Sequence, residues 1–160
     1  MSAEAPFPPD RHAKVHSLFC YWDSLRPAGG LPARKDFDPT QIPDLLRNIW
    51  LIDVVPPAPR FRYRLVGTAI VEARGYDQTG SFLDQEVADF PQSQTRADLQ
   101  KVLAGNVSWR RGVPDKMHRL NDIFSLERIF LPLASNGTSV DIVVALSLYQ
   151  SLERGRRTRL

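Results

Sequence analysis

Three residues near the N-terminus have the side chains and the spacing of a metal site. His12, His16 and Cys20 recur every four residues, so on a helix they would form one stripe of two imidazoles and a thiol. Such ligands suit zinc or another soft metal. Asp23 lies one turn beyond, but no complete ligand set is evident. We therefore predict no metal and interpret the stripe as a chance arrangement of partly exposed residues.

Glu127 is the second candidate, because it is an acid in a strongly apolar stretch. The pair Asn136-Gly137 predicts a two-residue type I′ hairpin turn, which needs two positive φ angles. The register set by this turn places Glu127 opposite Leu146 on an aliphatic face of the hairpin. A carboxylate there is costly unless it is paired or hydrogen-bonded.

Two roles for Glu127 stay open. One is a structural salt bridge to an arginine such as Arg110 or Arg111. The other is a polar anchor at a pocket mouth that fixes a small ligand among apolar walls. In that role the candidate ligand-binding residues are one acid, three aromatic residues and two aliphatic residues: Glu127, Tyr63, Tyr76, Trp109, Ile129 and Val144. Packing in the core is the alternative for each aromatic residue.

The elements that must position these residues follow from apolar periodicity and chain breakers. Asp10 predicts a cap for an amphipathic helix over residues 11–25. A short helix begins at Asp38-Pro39. Strands are predicted over residues 49–55, 61–66, 107–113, 125–133 and 139–149, with short helices over 69–74, 83–88 and 94–104. This order gives an α+β fold, in which the N-terminal helix takes the mixed face of the last hairpin, opposite Glu127.

Length and composition restrict the class of protein. With 160 residues, 42% hydrophobic and 24% charged, the chain is typical of one globular domain that needs no disulfide or metal. We find no run of 18 apolar residues and no secretory leader, which predicts neither a membrane span nor export. We therefore expect a cytoplasmic protein, and the single Cys20 cannot form an internal disulfide.

The positive charge is concentrated at the C-terminus. Subtracting the four charges of Arg154, Arg156, Arg157 and Arg159 from the net charge of +3 leaves −1 for the rest of the chain. We therefore expect no nucleic-acid partner. The predicted organisation is a flexible segment over residues 1–10, a single domain over 11–150 and a frayed basic tail over 151–160.

Five segments carry a resemblance to a known family. They are LPARKDFDP at 31–39, IPDLL at 42–46, FRYRLVGT at 61–68, GYDQTG at 75–80 and ERIFLPL at 127–133. With the order of elements, they resemble short bacterial stand-alone PAS-like domains over about residues 15–150. The resemblance implies a five-stranded antiparallel sheet, with helices that cover one face and close over a ligand pocket, preceded here by the N-terminal amphipathic helix.

The resemblance also implies a function. It is that of a sensory, ligand-binding or adaptor module of bacterial signalling, without an output domain of its own. A flavin photosensor would carry a reactive cysteine between the second and third strands, whereas Cys20 precedes them. A haem site would have an axial histidine in the helix over 94–104, which has none, and His118 falls in the polar connection 114–123. We predict no cofactor, with flavin and haem disfavoured and an unknown small ligand expected.

We predict that the chain acts through partners and not as an enzyme. The expected partners are a second copy, an unknown signalling protein and a small molecule, without a membrane. The predicted dimer surface is the apolar face of the N-terminal helix, formed by Val15, Leu18, Phe19 and Trp22. One alternative is an interaction module whose pocket is filled by its own side chains. A small α+β enzyme with Glu127 as base ranks last, because no catalytic motif is present.

Overall fold

The structure of the protein is a computed structural model that describes residues 7–117, 123–153 and 156–159. An antiparallel sheet forms its centre. Its strands are β1 (Ile49–Val55), β2 (Arg60–Val66), β3 (Ser108–Gly112), β4 (Ile123–Leu133), β5 (Ile142–Glu153) and β6 (Arg156–Arg159). They lie in the order β2-β1-β5-β4-β3, with β6 paired to β5. The five predicted strands are all present, and β6 is an additional strand that was not predicted.

Helices cover both faces of the sheet. They are α1 (Ala13–Ser24), α2 (Thr68–Arg74), α3 (Leu83–Glu86) and α4 (Gln94–Leu103). One face, here called the α1 face, packs against α1 and the 3₁₀ segments that precede β1. The other, the α2–α4 face, packs against the three helices between β2 and β3. In the described part of the chain, no helix has the length and apolarity needed to cross a membrane.

The short helix predicted at Asp38-Pro39 is divided into two 3₁₀ segments, Pro39–Gln41 and Pro43–Asn48. Asp38 caps the first segment by accepting a hydrogen bond from the Thr40 N–H at 3.0 Å. Continuous helix is interrupted at Ile42, whose φ and ψ are −134° and 51°, and the following proline has no N–H to continue the hydrogen-bond pattern.

Helix α1 packs against the aliphatic face, and the prediction that it takes the mixed face is wrong. Its apolar residues Val15, Leu18, Phe19 and Trp22 are all buried. They pack against the branched side chains of β4 and β5, and the Trp22 Nε1 donates to the Pro132 carbonyl at 2.9 Å. These four residues are therefore core of this chain and not, as predicted, a surface for a second copy.

The beginning of α1 also differs from the prediction. His12, not Asp10, is the capping residue, and its Nδ1 accepts from the Lys14 N–H at 3.0 Å. Asp10 instead accepts from Nη1 of Arg111 at 3.0 Å. The helix begins later because these bonds tie residue 10 to the sheet rather than to the first turn of the helix.

The β4–β5 hairpin has the predicted faces but not the predicted register. Glu127 pairs with Leu148, two residues beyond the predicted partner Leu146, and Leu133 pairs with Ile142 in the same register. A shift of two residues leaves every side chain on the same face, because side chains alternate along a strand. The division into an aliphatic and a mixed face is therefore confirmed.

The register is displaced because the connecting loop spans residues 134–141 instead of two residues. Only Gly137 of the Asn136-Gly137 pair has a positive φ, at 84°, so the turn is not type I′. The Asn136 side chain accepts from the Ser139 N–H at 2.7 Å, and the Gly137 carbonyl accepts from the Leu31 N–H at 3.0 Å. Side-chain and tertiary hydrogen bonds thus determine the loop.

Gly67 allows α2 to begin directly after β2. A Cβ at this position would lie 2.4 Å from the Arg47 carbonyl oxygen and 2.6 Å from that of Ile49. No other residue type fits so close to the backbone. At the other end of α2, Gly75 takes the left-handed conformation with φ of 82°, which is common for a glycine that ends a helix.

Two terminal predictions need correction. Residues 156–159, expected to be frayed, pair with β5 as β6. Phe7, expected in a flexible segment, contacts Phe19 edge to face at a centroid distance of 5.2 Å. Residues 1–6, His118 and Arg154 lie outside the described residues, as does part of the predicted polar connection.

Candidate functional site

The α2–α4 face buries polar and charged side chains among its apolar ones. We call this group the polar belt; its members are Tyr63, Arg74, Tyr76, Glu86, Asp98, Arg128 and Tyr149. Five of them are below a tenth exposed, with Asp98 at 2%, Tyr149 at 4% and Arg128 at 5%. Burying a polar group costs free energy unless the group is paired. The hydrogen bonds and ion pairs within the belt therefore show which of its groups already have partners.

Tyr149 lies at the middle of the belt. Strand alternation in β5 turns it to the α2–α4 face together with Ala145 and Ser147. Arg74, the last residue of α2, donates from Nη2 to the Tyr149 hydroxyl at 3.0 Å, and its Cζ lies 5.0 Å from the ring centroid. The helix end therefore contacts the sheet through a guanidinium and a phenol.

An aromatic wall adjoins this contact. Trp50 and Tyr63 stack with centroids 5.3 Å apart, and the Trp50 Nε1 donates to the Ser147 hydroxyl at 2.9 Å. Burial raises the pKa of Tyr63 well above its ordinary value. For Tyr149, burial also opposes ionisation, but the charges of Arg74 and Arg128 outweigh it and lower the pKa.

This difference predicts an early step in the spectroscopic titration of the tyrosines. As the pH is raised, we expect the absorbance of tyrosinate to begin rising below the ordinary tyrosine pKa of about 10, because Tyr149 ionises first. The Tyr149→Phe variant should lack this early step. The pKa of Tyr149 is lower in the folded protein than in the unfolded chain. Its ionisation therefore stabilises the folded protein increasingly as the pH rises from the folded pKa to the unfolded pKa, and this contribution is fully present above the unfolded pKa.

Tyr21→Phe is the matched control for this titration, because Tyr21 is half-buried on the other side of the sheet. It should retain the early step. An early step that persists in Tyr149→Phe would show that another tyrosine ionises first.

A charged network lies on the other side of Tyr149. Arg128 donates from Nη2 to Asp98 at 2.7 Å and from Nη1 to Thr95 at 3.2 Å. The same Asp98 oxygen accepts from Nε of Arg110 at 3.1 Å. Burial lowers the pKa of Arg128, against the effect of Asp98. One carboxylate thus joins α4 to both β3 and β4.

The third part of the belt connects α2 to α3. The Tyr76 hydroxyl makes a short hydrogen bond to Glu86 Oε2, and Glu86 is buried. In the same connecting segment, Gln78 is 1% exposed, and its Oε1 has no hydrogen-bond donor among the residues that the structure describes. Gly80 donates to the Tyr63 carbonyl at 2.7 Å, which places this segment beside β2.

The predicted ligand-binding residues are divided between the two faces. Tyr63 and Tyr76 belong to the polar belt, whereas the others belong to the α1 face: Trp109, Glu127, Ile129 and Val144. Since the sheet separates the two groups, no single ligand can contact all six. The aliphatic face, where the pocket was expected, is occupied by α1.

Glu127 forms a structural salt bridge, the first of its two predicted roles. Its Oε1 accepts from Nε of Arg111 at 3.0 Å, and its Oε2 accepts from the backbone N–H of His12 at 2.7 Å. Because Arg111 also binds Asp10, this acid fastens the beginning of α1 to the sheet.

The residues of the predicted metal-ligand stripe, His12, His16 and Cys20, make different contacts in the structure. His12 caps α1, while the Nδ1 of His16 lies 2.5 Å from Nη2 of Arg11. The Nε2 of His16 is 3.4 Å from the exposed Cys20 sulfur. Over the residues that the structure describes, His, Cys, Asp and Glu form no cluster of three that could hold a metal.

Sequence reasoning missed most of the belt: Arg74, Glu86, Asp98, Arg128 and Tyr149. One signal was present, because Arg128 lies between Leu126 and Phe130 on the mixed face of the hairpin. A charged residue flanked by apolar residues on one strand face indicates an interior partner. That partner, Asp98, lies 30 positions away and could not be identified from spacing.

The strand order, with helices between β2 and β3 over one face, defines an α+β domain built on an antiparallel sheet. The sequence profile of the family described as PAS domain matches residues 10–147. The chain belongs to the PAS domain family, as its resemblance predicted. Proteins of this class are in general sensory or interaction modules and not enzymes. Among curated proteins, none matches this chain.

Proposed function

We propose that this chain is a sensory PAS domain of bacterial signalling that binds a small molecule on its α2–α4 face and passes the bound state to a partner protein. The polar belt is the observation that supports the proposal. Apolar side chains would fill this interior without the desolvation cost of buried arginine, aspartate and tyrosine. Ligand sites combine apolar walls with a few placed polar groups, which is the composition of this face.

The helices over this face are suited to respond to a ligand. Helix α2 has seven residues and α3 has four, lengths at which packing rather than backbone hydrogen bonding maintains a helix. Arg74 and Glu86 connect these helices to tyrosines of the sheet and of the loop. A ligand that replaces those contacts would favour one arrangement of α2 and α3 over another, which is how binding changes a partner's affinity.

The test is native mass spectrometry of the purified protein beside its denatured mass. We expect the wild type to retain a small molecule, and Tyr149→Phe to retain less of it, while Tyr21→Phe on the α1 face matches the wild type. The same spectra report whether two copies associate. A protein that carries nothing, and that no metabolite of a library stabilises against heat, would contradict the proposal and favour the ligand-free interaction module.

The contacts of Glu127 argue against an enzyme in which this residue acts as the base. Both carboxylate oxygens of Glu127 already accept hydrogen bonds, from Arg111 and from the His12 backbone. A general base must reach the proton that it removes, and this one is occupied in holding α1.

A further inference from the structure

We infer that the ligand of the α2–α4 face carries a carboxylate and that Arg74 binds it. The inference rests on the proposed function and deepens it. Its starting point is the pairing of charges in and beside the polar belt: Arg128 and Arg110 share Asp98, and Glu86 bonds to the Tyr76 hydroxyl. Arg74, by contrast, has no carboxylate within ion-pair distance among the described residues. The side-chain hydrogen bond of Arg74 goes to the hydroxyl of Tyr149.

The remaining donors of Arg74 can bind two oxygens at once. A guanidinium has five N–H donors in a planar fork that matches a carboxylate, and the bond to Tyr149 uses one of them. The carbonyls at the end of α2 offset part of its charge but supply no anion. A bidentate carboxylate would provide the counter-ion that Asp98 provides for Arg128.

Charge balance favours a carboxylate over a phosphate. Arg74 is the arginine of the belt that has no acid within ion-pair distance among the described residues, while Arg128 is paired with Asp98 and Glu86 adds a second acid to the belt. A dianion would leave one negative charge in an interior site, where an unpaired charge is strongly disfavoured. The stacked rings of Trp50 and Tyr63 favour an apolar or aromatic body attached to the carboxylate.

A second unpaired group indicates another feature of the ligand. Gln78 lies in the segment beside Tyr63, and its buried Oε1 accepts no hydrogen bond from the described part of the chain. Buried acceptors of this kind are few in folded proteins and call for a donor. A hydroxyl or amino group on the carboxylic acid would supply it.

The experiment compares each carboxylate with its uncharged amide. The probes are benzoate and benzamide, phenylacetate and phenylacetamide, and hexanoate and hexanamide, titrated into the full chain and followed by protein NMR. We expect at least one carboxylate to bind roughly ten- to a hundredfold more tightly than its amide, as for a charge-assisted hydrogen bond. Arg74→Gln should reduce that ratio to near unity, and Arg74→Lys should retain part of it.

Arg47→Gln is the matched control, because it also removes one positive charge next to α2 but from an exposed pair with Glu72. It should leave the ratio unchanged. Equal affinities within every pair, no response to any carboxylate, or a ratio that survives Arg74→Gln would each overturn the inference. A neutral molecule retained in native mass spectrometry would overturn it while leaving the proposed function intact. If Arg74→Gln does not fold, Arg74→Lys and the amide comparison decide the matter.

Discussion

Replacing Trp22 by alanine is expected to lower the free energy of unfolding by about 3–5 kcal/mol, the range for removing a large aromatic side chain from a core. Trp22 is 1% exposed and is among the largest fully buried side chains of the described chain. Its removal would leave a cavity between α1 and the sheet. It would also remove the donor of the Pro132 carbonyl, a separate cost. Urea denaturation followed by far-UV circular dichroism measures the change.

Two further variants separate the parts of this effect. Trp22→Phe keeps an aromatic ring but loses the hydrogen bond to Pro132, so it should cost less, about 1–3 kcal/mol. Leu65→Ala removes a side chain that is 48% exposed and should change stability by about 0.5 kcal/mol or less. If Trp22→Ala instead lowered the mass of the assembly and left unfolding unchanged, Trp22 would be a surface residue, as the sequence first indicated.

The strands and α2 could be predicted because their signals are local. Branched residues over 49–55, alternation over 61–66 and Gly75 after a short helix each act within a few positions. The faces of the β4–β5 hairpin could be predicted too, since alternation needs only the parity of the register. That parity does not depend on the length of the loop at 134–141.

The register, the position of α1 and the site depend on contacts between distant residues. The loop length is set by bonds such as that between Leu31 and Gly137. The apolar stripe of α1 could pack on either face of the hairpin. The choice depends on contacts such as that of Trp22 with Pro132, which is 110 positions away in the sequence. Within the polar belt, Arg74 and Tyr149 are hydrogen-bonded although they lie 75 positions apart in the sequence. No spacing rule reaches such pairs, and for this reason the predicted site combined residues from both faces.

The Asp98 network predicts the second large effect. Asp98→Asn would remove the only acid within ion-pair distance of Arg128 among the described residues, and Arg128 is 5% exposed. Breaking a buried pair leaves an uncompensated charge, so we expect the free energy of unfolding to fall by about 3–5 kcal/mol. Asp53→Asn is the matched control, because Asp53 also joins two arginines, Arg62 and Arg64, but both are more than 40% exposed. Its expected cost is below about 1 kcal/mol.

A double-mutant cycle shows whether the cost comes from the unpaired charge. Asp98→Leu with Arg128→Met replaces the pair by apolar side chains and should recover most of the stability lost in Asp98→Leu alone. Arg110, whose side chain is 16% exposed, lies at the rim and keeps its hydrogen bond to the Val113 carbonyl. Recovery would mean that the pair is not needed for folding, so its presence inside the α2–α4 face would have to be explained by binding. Additive losses would instead show that Arg128 contributes packing over Phe130, where its Cζ lies 4.3 Å from the ring centroid, and would give this half of the belt a structural role.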